Sequence, residues 1–195
     1  MLELFEGEGM EERPSFIVTG ASASGKTTLV REAQGIGYEY LPTHTTREKR
    51  IGERDGIDNI FVSRDEFEDN FRYGRYLEPS LDYAELKSIG VYYGTPAAWI
   101  EELGRSDRCA APVAIRMARK VLSQVNAIWV HLVCNDSDRY ERLACRGYSE
   151  EEIIARMVSG ESAGKPPEEA IVFNTSNIKP DKILHKLRSR DERFI

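Results

Sequence analysis

Cysteine is scarce: Cys109, Cys134 and Cys145 are the only three in 195 residues. Their number is odd and none stands in a C-x-x-C pair, which argues against a disulfide framework and fits reduced thiols of a cytoplasmic protein. Histidine is equally sparse, and His44, His131 and His185 have no ligand spacing, so no structural metal site is expected. No apolar run approaches the ~18 residues of a membrane span. The segment Met1 to Arg13 is acidic and lacks a basic start followed by an apolar stretch, so it does not read as a secretory signal. An excess of positive charge is also missing. With 27 Lys and Arg against 33 Asp and Glu the net charge is −6, which argues against a nucleic-acid coat protein. Neither nucleic acid nor membrane is an expected partner, and a monomer or homodimer is expected. Internal repeats and low-complexity tracts are absent too.

What remains is the composition of a folded α/β domain. Hydrophobic residues make up 41 % and aromatics 9 %, and at this length roughly 70 % of the unfolded surface is buried on folding. Residues 1–13 read as a flexible acidic leader ending at Pro14. Strands are predicted at Phe16 to Val18, Tyr38 to Leu41, Ile60 to Val62, Cys109 to Ala114, Ala127 to Cys134 and Ile171 to Phe173. Residues 76–94 suggest short antiparallel strands, punctuated by Gly90 and Gly94.

Helices are predicted over Lys26 to Gln34, Ile115 to Ser123 and Pro180 to Arg188. Ser63 with Glu66 and Ser149 with Glu152 have capping-box spacing, predicting helices to about Asn70 and Ser159. Thr95 and Pro96 suggest an N-cap and first helical residue of a helix reaching Leu103, and Asp136 or Ser137 suggests the cap of one reaching Arg146. Gly160 to Pro167 reads as a mobile loop. Strand and helix alternating in this way predict a parallel sheet, interrupted over about 36–104 by an inserted subdomain.

The strongest chemical signal is Gly20-Ala21-Ser22-Ala23-Ser24-Gly25-Lys26-Thr27, which fits G-x-x-x-x-G-K-[ST] between a strand and a helix. The glycines let successive N–H groups point at phosphate oxygens, and the helix adds its positive end. Lys26 can reach the outer phosphates of ATP, and the Thr27 hydroxyl can ligate Mg²⁺. Thr28 completes the expected ATP-binding run.

A second anion site is suggested by Thr43-His44-Thr45-Thr46-Arg47-Glu48-Lys49-Arg50, which gathers hydroxyls and three cations in eight residues. A solvated loop with surface ion pairs would use the same residues. The stretch from Thr45 to Glu68 closely resembles the T-T-R-x-P-R-x-G-E-x-x-G-x-D-Y-x-F-V segment of the guanylate kinase family. With the phosphate loop, Tyr92-Tyr93-Gly94-Thr95 and Arg142-Leu143-Ala144-Cys145-Arg146-Gly147, the resemblance spans about residues 15–188.

The resemblance implies a three-layer α/β P-loop NTPase core with a parallel sheet (about 14–35, 105–145 and 166–195). It also implies an inserted mixed-β acceptor-binding subdomain (about 36–104) and a helical lid (about 146–165). Carried over by position, Thr43, Arg47, Arg50 and Tyr93 would hold the acceptor's phosphate, and Glu78 and Thr95 would face a guanine. Arg142 and Arg146, four apart on a predicted helix, would join Arg156 and Lys26 as catalytic cations, and Asn174 would lie at the adenine side.

The chain departs from the family pattern at four places, one of them Lys49 in place of the proline of T-T-R-x-P-R. Asn59 replaces the tyrosine of the G-x-D-Y stretch, and Pro112 and Ala114 fall where the family carries two aspartates. The loop after Glu78, around Ser80 to Ala84, is longer, and Asp82 or Glu85 could contribute from it. The expected activity is transfer of the γ-phosphoryl group of ATP to a nucleoside monophosphate, GMP first. Two alternatives stay open: another phosphorylated acceptor such as ribose 1,5-bisphosphate, and a non-catalytic nucleotide-binding or interaction domain of the same fold.

Overall fold

The structure is a computed structural model that describes residues 14–79, 90–105, 108–162, 166 and 168–189. The acidic leader 1–13 and the longer loop with Asp82 and Glu85 lie outside the described residues, as does the side chain of Glu78. Nine strands and seven helices are present among the described residues.

Strand β1 (Phe16–Gly20) is the centre of the molecule. Its side chains alternate between two cores because successive strand residues face opposite sides of a sheet. Phe16 and Val18 join Leu29, Val130, Leu132, Ile183 and Leu187 on one face. Ile17 joins Ala111, Met117, Val121, Trp129 and Trp99 on the other. Burial on both faces explains the nearly continuous apolar runs of these strands. Strand β1 lies in a five-stranded parallel sheet of order β2-β7-β1-β8-β9, with β2 Glu39–Tyr40, β7 Cys109–Pro112, β8 Ile128–Val133 and β9 Ile171–Asn174.

Helices α1 (Lys26–Gly35) and α7 (Pro180–Arg188) bury apolar residues in the first core. Helices α3 (Trp99–Arg105) and α4 (Ile115–Leu122) do so in the second, giving three layers. Among the buried polar groups of the sheet, Thr19 Oγ1 accepts from Trp129 Nε1 (2.9 Å) and lies 2.8 Å from His131 Nδ1. No helix among the described residues is long and apolar enough to cross a membrane.

The chain leaves this sheet after β2 and returns at β7. In between, β3 (His44–Thr45), β4 (Ile60–Phe61), β5 (Tyr76–Pro79) and β6 (Tyr93–Pro96) form a second, mixed sheet of order β4-β3-β6-β5. Helix α2 (Arg64–Arg72) is capped by Ser63, whose hydroxyl accepts from the Glu66 amide (3.1 Å). It contributes Phe67 to a small core with Val62, Tyr76 and Tyr92.

Three local expectations are corrected. Thr95 and Pro96 do not open a helix: both lie in β6, where Pro96 faces Tyr76 of β5. Helix α3 begins only at Trp99, its first turn closing onto the carbonyls of Ala97 and Ala98. The helix predicted to reach Arg146 is α5 (Asp136–Ala144), preceded by Asn135, and it stops short because the chain turns at Gly147 (φ +77°). Finally, α6 (Glu150–Ser162) runs through Gly160 into the segment read as a loop; residues 163–165 and 167 lie outside the described residues.

Candidate active site

The crossover after β1 runs toward β2 on one side, whereas β8 lies on the other, so the carboxyl end of β1 opens at a topological switch point. The phosphate loop turns there. Gly20 (φ +143°), Ala23 (φ +64°) and Gly25 (φ +101°) all adopt positive φ. At Gly20 the requirement is also steric, since a Cβ would stand 2.3 Å from the Leu132 carbonyl oxygen. Lys26 Nζ donates to the carbonyls of Gly20 (2.7 Å) and Ala21 (2.8 Å). Burial, then Arg146 and Arg139, lower its pKa to about 8. Thr27 and Thr28 start α1 with exposed side chains.

One cleft of about 210 Å³ joins this loop to the second sheet. From the expected ATP side it is lined by Gly20, Ala21, Ser22, Ala23, Gly25, Lys26, Thr27 and Thr28. From the expected acceptor side it is lined by Thr43, Arg47, Arg50, Tyr93 and Thr95, and from the lid side by Arg146 and Arg156. Three expected residues whose side chains are described are not in its wall. Ser24 is fully buried beneath the loop with an unpartnered hydroxyl. Asn174 is bonded to Asn135 (3.1 Å) and to the Ser176 amide (3.0 Å). Arg142 donates to the carbonyl of Ala23 and the hydroxyl of Thr175 (both 3.1 Å), bracing the phosphate loop. Since α5 ends at Ala144, Arg142 and Arg146 are not helical neighbours and do not point one way.

The wall expected to take the acceptor is organised by a carboxylate that the sequence does not single out. Arg47, 9 % exposed, makes a two-pronged ion pair with Glu53 (2.8 and 3.0 Å) and donates to Tyr93 Oη (3.3 Å). Burial opposes the Arg47 charge, but Glu53 and Tyr93 outweigh it and raise its pKa. Burial likewise opposes the Glu53 charge, yet Arg47 and the Arg50 amide hold its pKa below the usual carboxylate value. Asp58, also in the cleft wall, is 3 % exposed and accepts from Arg31 Nε (2.8 Å) and the Arg54 amide (2.8 Å). Its backbone carbonyl accepts from Tyr40 Oη (2.7 Å), which ties β2 and α1 to the acceptor segment. Asn59 accepts from the Thr43 hydroxyl (3.0 Å). Among the described residues the far wall is Pro112, Val113, Ala114 and Met117, with no carboxylate.

Arg139 was also missed. It is buried, donating to the Ser22 carbonyl (3.2 Å) and the Arg156 carbonyl (3.2 Å), so it links the phosphate loop to α6. The positive-φ run and the converging Lys26, Arg146 and Arg156 suit a triphosphate. For a divalent cation the fit is narrower. Glu53 and Asp58 are committed to arginines, and no cluster of three or more His, Cys, Asp or Glu exists among the described residues. The Thr27 hydroxyl, acting with nucleotide phosphates, is the remaining fit for Mg²⁺.

Comparison with known proteins agrees with this geometry. The family model described as guanylate kinase matches residues 12–189. A guanylate kinase of Streptococcus thermophilus is 38 % identical over 156 residues, covering 76 % of this chain and 72 % of that protein. One from Streptococcus pyogenes serotype M3 is 36 % identical over 156 residues, covering 76 % and 71 %. The crystal structure of guanylate kinase from Anaplasma phagocytophilum aligns with a TM-score of 0.62 at 20 % identity, over 92 % of this chain and 87 % of that one, which shows the fold. A nucleotide-kinase role follows from these relatives, and the chain belongs to the guanylate kinase family.

Proposed function

We propose that the chain transfers the γ-phosphoryl group of ATP to GMP, giving ADP and GDP. The observation that carries this reading is the cleft in which the phosphate loop faces Arg47, Arg50 and Tyr93. Residues 36–104 act as the acceptor-binding insertion on the core, and residues 146–165 as its lid. The backbone N–H groups of residues 20–27 and the Lys26 ammonium hold the triphosphate. Mg²⁺ bound at Thr27 would supply charge neutralisation on the phosphate oxygens. Arg47, kept in orientation by Glu53, and Arg50 grip the acceptor phosphate so that its oxygen stands in line with the γ-phosphorus. Arg146 and Arg156 stabilise the charge spread over the transferring group. No general base is required, because a phosphate acceptor is already ionised near pH 7.

The Pro112 and Ala114 wall favours a second reading, in which a different phosphorylated acceptor such as ribose 1,5-bisphosphate is used. A site without polar partners for the base loses discrimination against other bases. Both readings are separated by ADP release from ATP and Mg²⁺ with GMP, dGMP, AMP, UMP, CMP or ribose 1,5-bisphosphate, with Lys26→Ala as control. Turnover with GMP that is lost in the control supports the first reading. Turnover with the sugar phosphate alone overturns it in favour of the second.

A further inference from the structure

Tyr148 touches two of the cleft arginines at once. It lies in the turn between α5 and α6, after Gly147 and before Ser149. Ser149 and Glu152 form a reciprocal capping box: the Glu152 amide donates to Ser149 Oγ (3.3 Å) and the Ser149 amide to Glu152 Oε2 (2.9 Å). Tyr148 therefore occupies the position before the cap, and it packs with Ile153 four residues into the helix, in a cluster with Leu143 and Ala23 of the phosphate loop. This staple fixes the ring against both the helix and the loop.

Arg50 Nε donates to the phenol oxygen (2.8 Å), and Arg50 Nη2 also bonds to it. The Arg50 Cζ stands 5.2 Å from the ring centroid, and the Arg156 Cζ 4.1 Å from the same centroid. Arg156 is 5 % exposed, and its Nε has no hydrogen-bond partner. Arg50 comes from the acceptor segment and Arg156 from α6, and both line the cleft. A carboxylate in this position would hold the arginines but cancel their charge. Arg50 already has Glu53 at 3.5 Å, and a phenol oxygen and an aromatic face hold both arginines without a second carboxylate to offset their charge.

We propose that Tyr148 is a positioning residue that sets Arg50 toward the acceptor phosphate through its hydroxyl and Arg156 toward the triphosphate through its ring. This assignment rests on the phosphoryl-transfer reading above, and the two halves of the side chain give it two separable tests. Tyr148→Phe keeps the ring and loses the hydroxyl; Tyr148→Leu loses both. Wild type and both variants would be compared in KM for GMP, KM for ATP, kcat and the calorimetric Kd of Mg·ATP, with thermal midpoints as a control for folding.

The expected result for Tyr148→Phe is a KM for GMP raised about tenfold with the Kd of Mg·ATP unchanged, as befits loss of one charge-assisted hydrogen bond. For Tyr148→Leu, the Kd of Mg·ATP rises about fivefold as well and kcat falls. Constants within twofold of wild type for Tyr148→Leu overturn the proposal. So do equal losses toward GMP and ATP in both variants, accompanied by lowered midpoints, which mark a purely structural role. If the wild type does not turn over GMP, the acceptor reading fails while the Mg·ATP arm still decides: weakening in Tyr148→Leu but not in Tyr148→Phe upholds the ring's role, and no difference sinks it.

Discussion

Lys26 is the group on which pH acts first. Its pKa of about 8 leaves it mostly charged at pH 7 and neutral a little above 8. The kcat/KM for ATP, which reports the free enzyme, should therefore fall as pH rises through about 8. Stability moves the other way. Between about 8 and the ordinary lysine value of 10.5 the unfolded chain binds more protons at this residue, so the folded state gains stability as pH rises there. Lys26→Arg should remove the fall in kcat/KM, and a pH profile of the two proteins checks it.

Glu53 has the opposite character. Its lowered pKa means that its ion pairs stabilise the fold above the unfolded value of 4.5 and are lost as pH falls through the folded one. Glu53→Gln should lower unfolding free energy by about 3 kcal/mol, the low end for breaking a buried pair, since both side chains keep some exposure. It should raise the KM for the acceptor about tenfold or more while sparing that for ATP. Denaturant titration and steady-state kinetics test the two parts. The phosphate loop was legible in the sequence because its residue types and spacing have few other uses; the arginine cluster stood out only through the resemblance of its segment, since a solvated loop would use the same residues. Glu53 was not legible, because a carboxylate in a charged loop reads as solvated until the fold turns it under Arg47.

At the scale of elements, α5 and α6 are held together by a small core. Leu143 is fully buried with Ile153 and Ala23, which joins α5, α6 and the phosphate loop. Leu143→Ala should cost about 2–5 kcal/mol and also weaken Mg·ATP, because the lost contacts include the loop itself. Leu143→Met, similar in volume, should cost under about 1.5 kcal/mol, and chemical denaturation separates the two. Both serine caps were legible from sequence, since a serine three residues before a glutamate marks a helix start by a local bond. The start of α3 was not: Thr95 and Pro96 carry cap chemistry, but tertiary pairing with Tyr76 draws Pro96 into β6. The arginines of α5 and of the turn after it show the same limit. Arg139, Arg142 and Arg146 repeat at helical spacing, yet the turn at Gly147 sends Arg146 into the cleft while the other two brace the loop from behind.

At the scale of the whole molecule, the parallel sheet follows from apolar runs alternating with helices, and it was readable for that reason. The second sheet was only partly readable. Strands β3 and β4 are two residues each and parallel, too short to show any periodicity. What the two sheets achieve together is the cleft, with Lys26 and the phosphate loop on one wall, Arg47 and Arg50 on the other, and an apolar end at Pro112 and Ala114. The most direct test of this arrangement is formation of GDP from GMP and Mg·ATP by the purified chain, with Arg47→Met measured beside it. The expected result is turnover that depends on GMP and falls at least about a hundredfold in Arg47→Met, with the Kd of Mg·ATP unchanged, as for loss of a charge-assisted phosphate contact. Equal rates in the two proteins, or ATP consumption indifferent to GMP, would contradict it.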